Sequence, residues 1–195
     1  MKKNISILLT VLCVLVISTL ILFAEEVKYD FRKTNWGMSK EEVKATEDKK
    51  PGSEIDNTIA YRVKIDGDEY ICGYTFLEDK LYNAGYVFTG KHSNRNLYID
   101  DYKRLKEILI KKYGKPKDEI VFWSDDLFKN DRSQWGLAVS IGDLSYGAGW
   151  ETPTTKIELM LWGDNYKISL VLAYDSRELE EWANKILEEK AKSKF

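Results

Sequence analysis

The stretch IAYRVKIDGDEYICGYTFLEDKLYNAGYVF, residues 59–88, alternates apolar and polar side chains along three consecutive runs. Alternation with a period of two predicts β-strands that have one buried face and one solvated face. Asp66-Gly67 is a tight-turn signal between the first two runs, and Glu78-Asp79-Lys80 separates the second run from the third. Because both connections are short, the three strands are predicted to form an antiparallel meander.

Helices are predicted before and after this meander. Ser39 is a favourable N-cap, and Glu42 three residues later completes a capping box. This first helix is expected to end near Lys49, ahead of Pro51. The second helix is predicted over residues 98–113, where large apolar side chains recur at helical spacing.

A second group of strands is predicted after the second helix. Residues 119–123 are a short apolar run, and the runs 135–141, 144–150, 157–161 and 166–174 alternate. Gly163-Asp164-Asn165 is a turn between the last two. A last helix is predicted to open at Asp175 or Ser176 and to carry an apolar stripe that begins at Leu179.

These elements predict an α+β fold, with a mainly antiparallel sheet and about three helices packed on one side. The order of a helix followed by a meander occurs twice, which suggests two repeats that arose by internal duplication. Residues 25–195 suit a single domain, since a chain of that length can bury about 70% of its unfolded surface.

The N-terminal residues 1–24 are predicted to be an export signal or a membrane anchor. Lys2-Lys3 forms a positive start, and residues 4–24 carry no charge. Cleavage after Ala24 is one interpretation, although Leu22 fits the usual small-residue pattern poorly. An uncleaved anchor is the alternative, because residues 5–23 approach the length that spans a bilayer. Lipidation at Cys13 is a weaker third option. The cleaved and anchored forms both place the domain outside the cytoplasm, secreted or tethered.

Charge and cysteine content narrow the class of protein. Lys2 and Lys3 are the only charged residues of the leader, so residues 25–195 carry 28 basic and 32 acidic side chains. That interspersed, slightly acidic balance argues against a nucleic-acid-binding protein, which would show a basic stripe. Cys72 is the only cysteine of residues 25–195 and lies in an apolar run, so a buried free thiol is expected.

Two segments resemble the sequences of small exported bacterial proteins of unassigned function. One is Phe31-Arg32 followed by WGMSKEEV, residues 36–43, and the other is DNYKI, residues 164–168. Residues 37–43 also resemble the helix start of the outer-membrane assembly lipoproteins SmpA/OmlA and, more loosely, the β-lactamase-inhibitor-protein fold. The resemblance implies a helix-plus-meander module that binds proteins in the cell envelope, and it assigns no site residue.

Catalytic chemistry has little support in the sequence. His92 is the only histidine, and no carboxylate or thiol neighbours it in sequence, so a solvated loop residue is expected. Asp125, Asp126 and Asp131 are weak candidates for a hard-cation site, against the alternative of a solvated acidic loop. No catalytic residue, metal or cofactor is therefore predicted.

Aromatic residues supply the candidate binding surface. Tyr74, Phe76, Tyr82 and Tyr86 are predicted to lie side by side across a hairpin, and Trp162 falls on a charged, exposed strand face. If the hairpin face is open, these rings form a platform for a protein, peptide or glycan. If helices cover that face, the rings belong to the core, which is the expected arrangement in this fold class.

The predicted function is that of an exported, non-catalytic binding module for a protein or a cell-envelope component. A hydrolase acting on cell-wall or extracellular glycans is the alternative, and it requires two carboxyl groups across a cleft, one with a raised pKa. A purely structural envelope protein is the second alternative. No nucleic-acid partner is expected, and membrane contact is expected only through residues 5–23 if they are retained.

Overall fold

A computed structural model describes residues 28–192, so the predicted leader over residues 1–24 lies outside the described residues. The helices are α1 (Lys40–Thr46), α2 (Asn96–Tyr113), α3 (Trp135–Ile141) and α4 (Glu180–Lys192), with a 3-10 turn at Arg132–Gln134. The strands are β1 (Ser53–Ile55), β2 (Thr58–Ile65), β3 (Asp68–Leu77), β4 (Lys80–Phe88), β5 (Asp118–Trp123), β6 (Leu144–Glu151), β7 (Thr155–Asp164) and β8 (Lys167–Ser176).

All eight strands join one antiparallel sheet in the order β1-β2-β3-β4-β8-β7-β6-β5. The two strand groups meet where β4 pairs with β8, from Asn83 opposite Asp175 to Val87 opposite Val171. The α+β class and the antiparallel sheet are thus as predicted. The junction lies at the centre of the sheet, with four strands on each side.

One face of the sheet carries the core. Alternate strand residues such as Tyr74, Leu159 and Leu172 point to this covered face and are buried. Buried residues of α1, α2 and α3, among them Val43 and Leu105, belong to the same apolar cluster. Because each strand alternates, the neighbouring residues must point to the opposite face.

The fourth helix lies against that opposite face near one end of the strands. The Glu180 carboxylate is 3.9 Å from the ammonium group of Lys156, whose side chain points away from the core. Leu187 lines a surface cleft together with Ala60 and Thr75. The expectation of about three helices on one side is therefore corrected: among residues 28–192 there are four helices, and α4 contacts the other face.

The run at 135–141, predicted as a strand, is helix α3. Its alternation is real, but seven residues are too few to separate a period of two from a helical stripe. The helix ends at Gly142, whose φ of 91° is readily adopted only by glycine. Helix α3 packs closely against the start of α2 at Gly136. A Cβ at this residue would lie 2.4 Å from backbone atoms at the start of α2, so only glycine fits there.

Element boundaries differ from prediction in three further places. The capping box at Ser39 and Glu42 is confirmed, but α1 ends at Thr46 rather than near Lys49. The loop after it contains the short strand β1. Strand β8 extends to Ser176, so α4 begins at Glu180 rather than at Asp175 or Ser176.

Candidate functional site

The face of the sheet opposite helices α1–α3 is the candidate functional site, and it is called the open face below. Its central row crosses six strands in register and is apolar apart from a glycine. The members of this row, in spatial order, are Ile71, Val87, Val171, Met160, Gly147 and Ile120. With strands about 4.8 Å apart, the row is about 24 Å long.

Exposure identifies where this row is available to a partner. Val87 is 44% exposed and Ile120 is 57% exposed. Phe122 and Trp162 lie two residues beyond the row on β5 and β7, on the same face, and are 54% and 40% exposed. Large apolar side chains that stay in solvent across several neighbouring strands are typical of an interaction surface.

A second row, one step along the strands, is built mainly from small residues. Ala60, Gly73, Gly85 and Ala173 follow one another in register from β2 to β8. Glu158 interrupts the row on β7, and Gly149 continues it on β6. This row therefore lies lower than the apolar row beside it. At Gly85 the small residue is required by packing, because a Cβ there would be 2.5 Å from the carbonyl oxygen of Leu172.

Where the two rows meet β5, they enclose a groove of about 540 Å³. Gly147 and Gly149 form its floor, with Ile120 on one side and Met160 on the other. A Cβ on Gly147 would lie 3.0 Å from Cγ2 of Ile120, so the Ile120 side chain leans over this glycine. The groove is thus apolar at its centre.

Two ion pairs lie at the end of this groove. Lys117 Nζ lies 2.7 Å from Glu151 Oε1, and Lys156 Nζ lies 3.2 Å from Glu158 Oε2. The hydrogen bond from Lys117 lowers the pKa of Glu151. The groove therefore holds these two carboxylates beside lysine ammonium groups.

Asp175 differs from the other acids of the open face. Burial raises its pKa, and the nearby carboxylates of Glu180 and Glu158 act in the same direction. The side-chain amide of Asn83 donates to Asp175 Oδ1 at 2.7 Å, which opposes the shift. Asp175 is not among the residues that line the 540 Å³ groove.

The predicted binding residues are divided between the two faces. Tyr74 and Phe76 are buried in the core, and Tyr86 packs against Phe31 beneath the N-terminal segment. Tyr82 is half-buried and lines the cleft beside Leu187 of α4. The structure therefore does not bring the five residues together, and of the predicted set Trp162 alone is exposed on the open face.

The segment that carries the sequence resemblance has packing roles. Phe31 contacts the rings of Tyr74, Tyr86 and Tyr174, with centroid distances of 5.5, 5.2 and 4.9 Å. The indole nitrogen of Trp36 donates to Thr155 Oγ1 at 2.9 Å. These contacts connect the first strand group to the second on the covered face, so the motif stabilises the junction.

A second cleft, of about 520 Å³, lies on the helix side and is lined by Arg32, Glu47, Tyr61 and Tyr70 among others. The Arg32 guanidinium group donates two hydrogen bonds to the Glu47 carboxylate. The hydroxyl groups of Tyr61 and Tyr70 are inaccessible to solvent.

His92 has a partner that the sequence does not reveal. Its Nε2 lies 2.6 Å from Asp101 Oδ2 on α2, and its ring stacks on Phe88. Asp101 also accepts from Arg104 at 3.1 Å, and Arg104 contacts Asp68 at the start of β3. The expected solvated loop histidine is instead a half-buried residue that joins a loop to α2.

The three acidic candidates for a cation site bind different groups of their own loop. Asp125 accepts from the Leu127 amide at 2.7 Å, and Asp126 pairs with Lys129 at 2.9 Å. Asp131 accepts from the Ser133 amide at 3.0 Å. Within residues 28–192 no group of three or more histidine, cysteine or acidic residues is placed to hold a metal ion.

Comparison with known proteins adds no family assignment. No protein-family profile matches the chain, and neither curated proteins nor solved structures show significant similarity to it. Among residues 28–192, no helix combines the length and apolar character needed to cross a bilayer.

Proposed function

We propose that this protein is a non-catalytic binding module that holds a protein partner on the open face of its sheet. The observation that carries the proposal is the apolar row from Ile71 to Ile120, left uncovered by α1–α3 while the opposite face is sealed. Exposed Trp162 and Phe122 beside it are residue types that anchor protein interfaces.

The dimensions of the open face favour a protein over a small molecule. Small-molecule ligands are usually buried in concave pockets, whereas this row extends over about 24 Å of sheet. A standard protein interface covers about 800 Å² on each partner, and a patch of that area is about as wide as this row is long. Ion pairs such as Lys117–Glu151 at the end of the row match the polar rim of such interfaces.

The hydrolase alternative receives less support. Inverting and retaining glycosidases both need one protonated carboxyl group opposite a second one. Four carboxylates line the groove, and three of them, those of Glu119, Glu151 and Glu158, are paired with lysines. Asp175 has a raised pKa, but it is hydrogen-bonded to Asn83 outside the groove.

The proposal places the domain outside the cytoplasm. The uncharged segment over residues 4–24, preceded by Lys2-Lys3, supports export. The partner is accordingly expected to be a protein of the cell envelope or the cell exterior. Cleavage of the leader would release the domain and retention would tether it to the membrane, and the proposed binding surface is the same in both cases.

A photo-crosslinking amino acid at Trp162 tests this function in intact cells. Ile108, on the outward side of α2, is the matched control because it is 39% exposed against 40% for Trp162. We expect one discrete adduct with another protein from Trp162, with none from Ile108. The adduct should be lost when Val87→Lys places a charge in the apolar row. Identical adducts from both positions, or an adduct that survives Val87→Lys, would contradict the proposal.

A further inference from the structure

Strand β5 forms one edge of the sheet and has an unusual side-chain content for an edge. Among the strands of residues 28–192, it pairs with β6 alone. Ile120, Val121 and Phe122 are consecutive, and they are 57%, 51% and 54% exposed. Natural edge strands are usually short or charged, because unpaired backbone groups and apolar side chains together invite another strand. The opposite edge follows that rule, since β1 has three residues including Glu54.

The hydrogen-bond pattern shows which backbone groups of β5 are available. The Ser124 amide donates to the Asp143 carbonyl at 2.9 Å, in the same register that pairs Trp123 with Leu144. In an antiparallel ladder the inward groups belong to alternate residues, so even-numbered residues bond to β6. The N–H and C=O groups of Glu119, Val121 and Trp123 therefore point outward.

We propose that a second copy of this chain pairs with β5 along this edge, antiparallel and related by a two-fold axis through Val121. This register pairs the outward backbone groups of Glu119, Val121 and Trp123 with those of Trp123, Val121 and Glu119 in the second copy. It is therefore self-complementary, as an isologous interface requires.

Side chains also match in this register. On the open face, Ile120 of each copy lies opposite Phe122 of the other, which buries two exposed apolar residues a side. Asp118 and Glu119 lie opposite Ser124 and Trp123 of the other copy, so no two carboxylates of the paired strands face each other. Other registers centred on an outward residue, Glu119 or Trp123, pair fewer of the three exposed apolar residues with one another.

The consequence is a sheet that continues through both copies, with the two open faces side by side. This inference uses the edge of β5 and does not depend on a partner bound to the open face. Because only one strand a side is paired, the buried area is at the lower end for specific interfaces, and a dissociation constant of about 1–100 μM is expected.

Disulfide trapping tests the register directly in the full chain, as the host cell processes it, in a Cys13→Ser background. In this register Val121 of one copy faces Val121 of the other at a Cα distance of about 5.5 Å, which a disulfide can bridge. We expect Val121→Cys to give a covalent dimer at least tenfold more efficiently than Val87→Cys, which is 44% exposed on the open face. Equal trapping at the two positions, or trapping of Val121→Cys to a different protein, would overturn the proposal.

Sedimentation of the purified protein separates this inference from the proposed function. Val121→Lys should weaken self-association at least tenfold, because two ammonium groups would meet at the axis, and it should leave partner crosslinking from Trp162 intact. Val87→Lys should leave self-association unchanged and abolish partner crosslinking from Trp162. A chain that stays monomeric to about 500 μM, beyond the expected range, rules out the β5 pairing whatever the open face binds.

Discussion

The guanidinium group of Arg32 donates two hydrogen bonds to the carboxylate of Glu47, from Nε to Oε1 at 2.9 Å and from Nη2 to Oε2 at 3.1 Å. Glu47 follows α1, and its carboxylate also accepts from the Tyr74 hydroxyl. The pair therefore ties the N-terminal segment and the end of α1 to the centre of the sheet. The Glu47 side chain is only 10% exposed, so little water is available to solvate its carboxylate.

Arg32→Met should destabilise the protein by about 1–3 kcal/mol, because it leaves the Glu47 carboxylate in the interior without its cation. The neighbouring pair Lys33–Asp48 is a matched control, since its side chains are 63% and 92% exposed. Lys33→Met should change the free energy of unfolding by less than about 0.5 kcal/mol. Urea denaturation measures both, and equal losses would show that Arg32 stabilises through its aliphatic stem alone.

Gly85 and Gly73 lie next to each other in the row of small residues but differ in the space around them. Gly85→Ala should cost about 2–4 kcal/mol, because its Cβ would meet the Leu172 carbonyl oxygen at 2.5 Å and backbone must move. No atom lies within 4 Å of a Cβ at Gly73, so Gly73→Ala should stay within about 0.5 kcal/mol. Thermal and urea unfolding of the two variants test this; similar stabilities would contradict the close approach of β4 to β8.

Asp175 should make the stability of the protein depend on pH. Burial raises the pKa of its carboxyl above the ordinary value of 3.8, so the folded state holds this proton at pH values where the unfolded chain has lost it. Stability linked to this group is therefore lost as pH rises through that window. Asp175→Asn removes the effect and keeps an acceptor for Asn83.

We expect Asp175→Asn to be more stable than the wild type at pH 7 and equal to it near pH 3, where both states of the wild type are protonated. Asp48→Asn is the control, because the Asp48 side chain is 92% exposed, and its difference from wild type should not follow this trend. Urea midpoints from pH 3 to pH 8 give the comparison. A wild type that is more stable than Asp175→Asn at pH 7 would contradict the raised pKa.

Cys72 should be chemically silent in the folded protein. Burial raises the pKa of its thiol to about 12, and the side chain is fully buried. Because the thiolate is the reactive form, alkylation at pH 8 should be negligible in the folded state and rapid in urea. Mass spectrometry of the Cys72 peptide measures the modified fraction. Modification within minutes under native conditions would show that the covered face opens.

Local patterns predicted much of the fold. Six of the eight strands follow from period-two alternation and turn residues, β5 follows from its short apolar run, and the capping box of α1 follows from Ser39 and Glu42. Helix α3 was missed because its seven residues alternate as a strand would. What distinguishes it is the contact of Gly136 with the start of α2, a long-range feature that periodicity does not contain.

The candidate site was less predictable than the fold. Alternation separates two faces of every strand but does not say which face the helices cover in the assembled sheet. Tyr74 and Trp162 are both aromatic strand residues, yet one is core and the other is exposed. The β5 edge was likewise hidden, because an apolar strand sequence is compatible with a central position.

The sequence by itself determined the local elements and their polarity, since hydrophobic period, caps and turns act between residues close in the chain. Only the tertiary structure decided that β4 pairs with β8, that His92 meets Asp101, and that β5 is left at the edge. These outcomes depend on how the whole sheet buries its apolar face against α1–α3. Packing of that kind is a property of the assembled core and is not carried by any single segment.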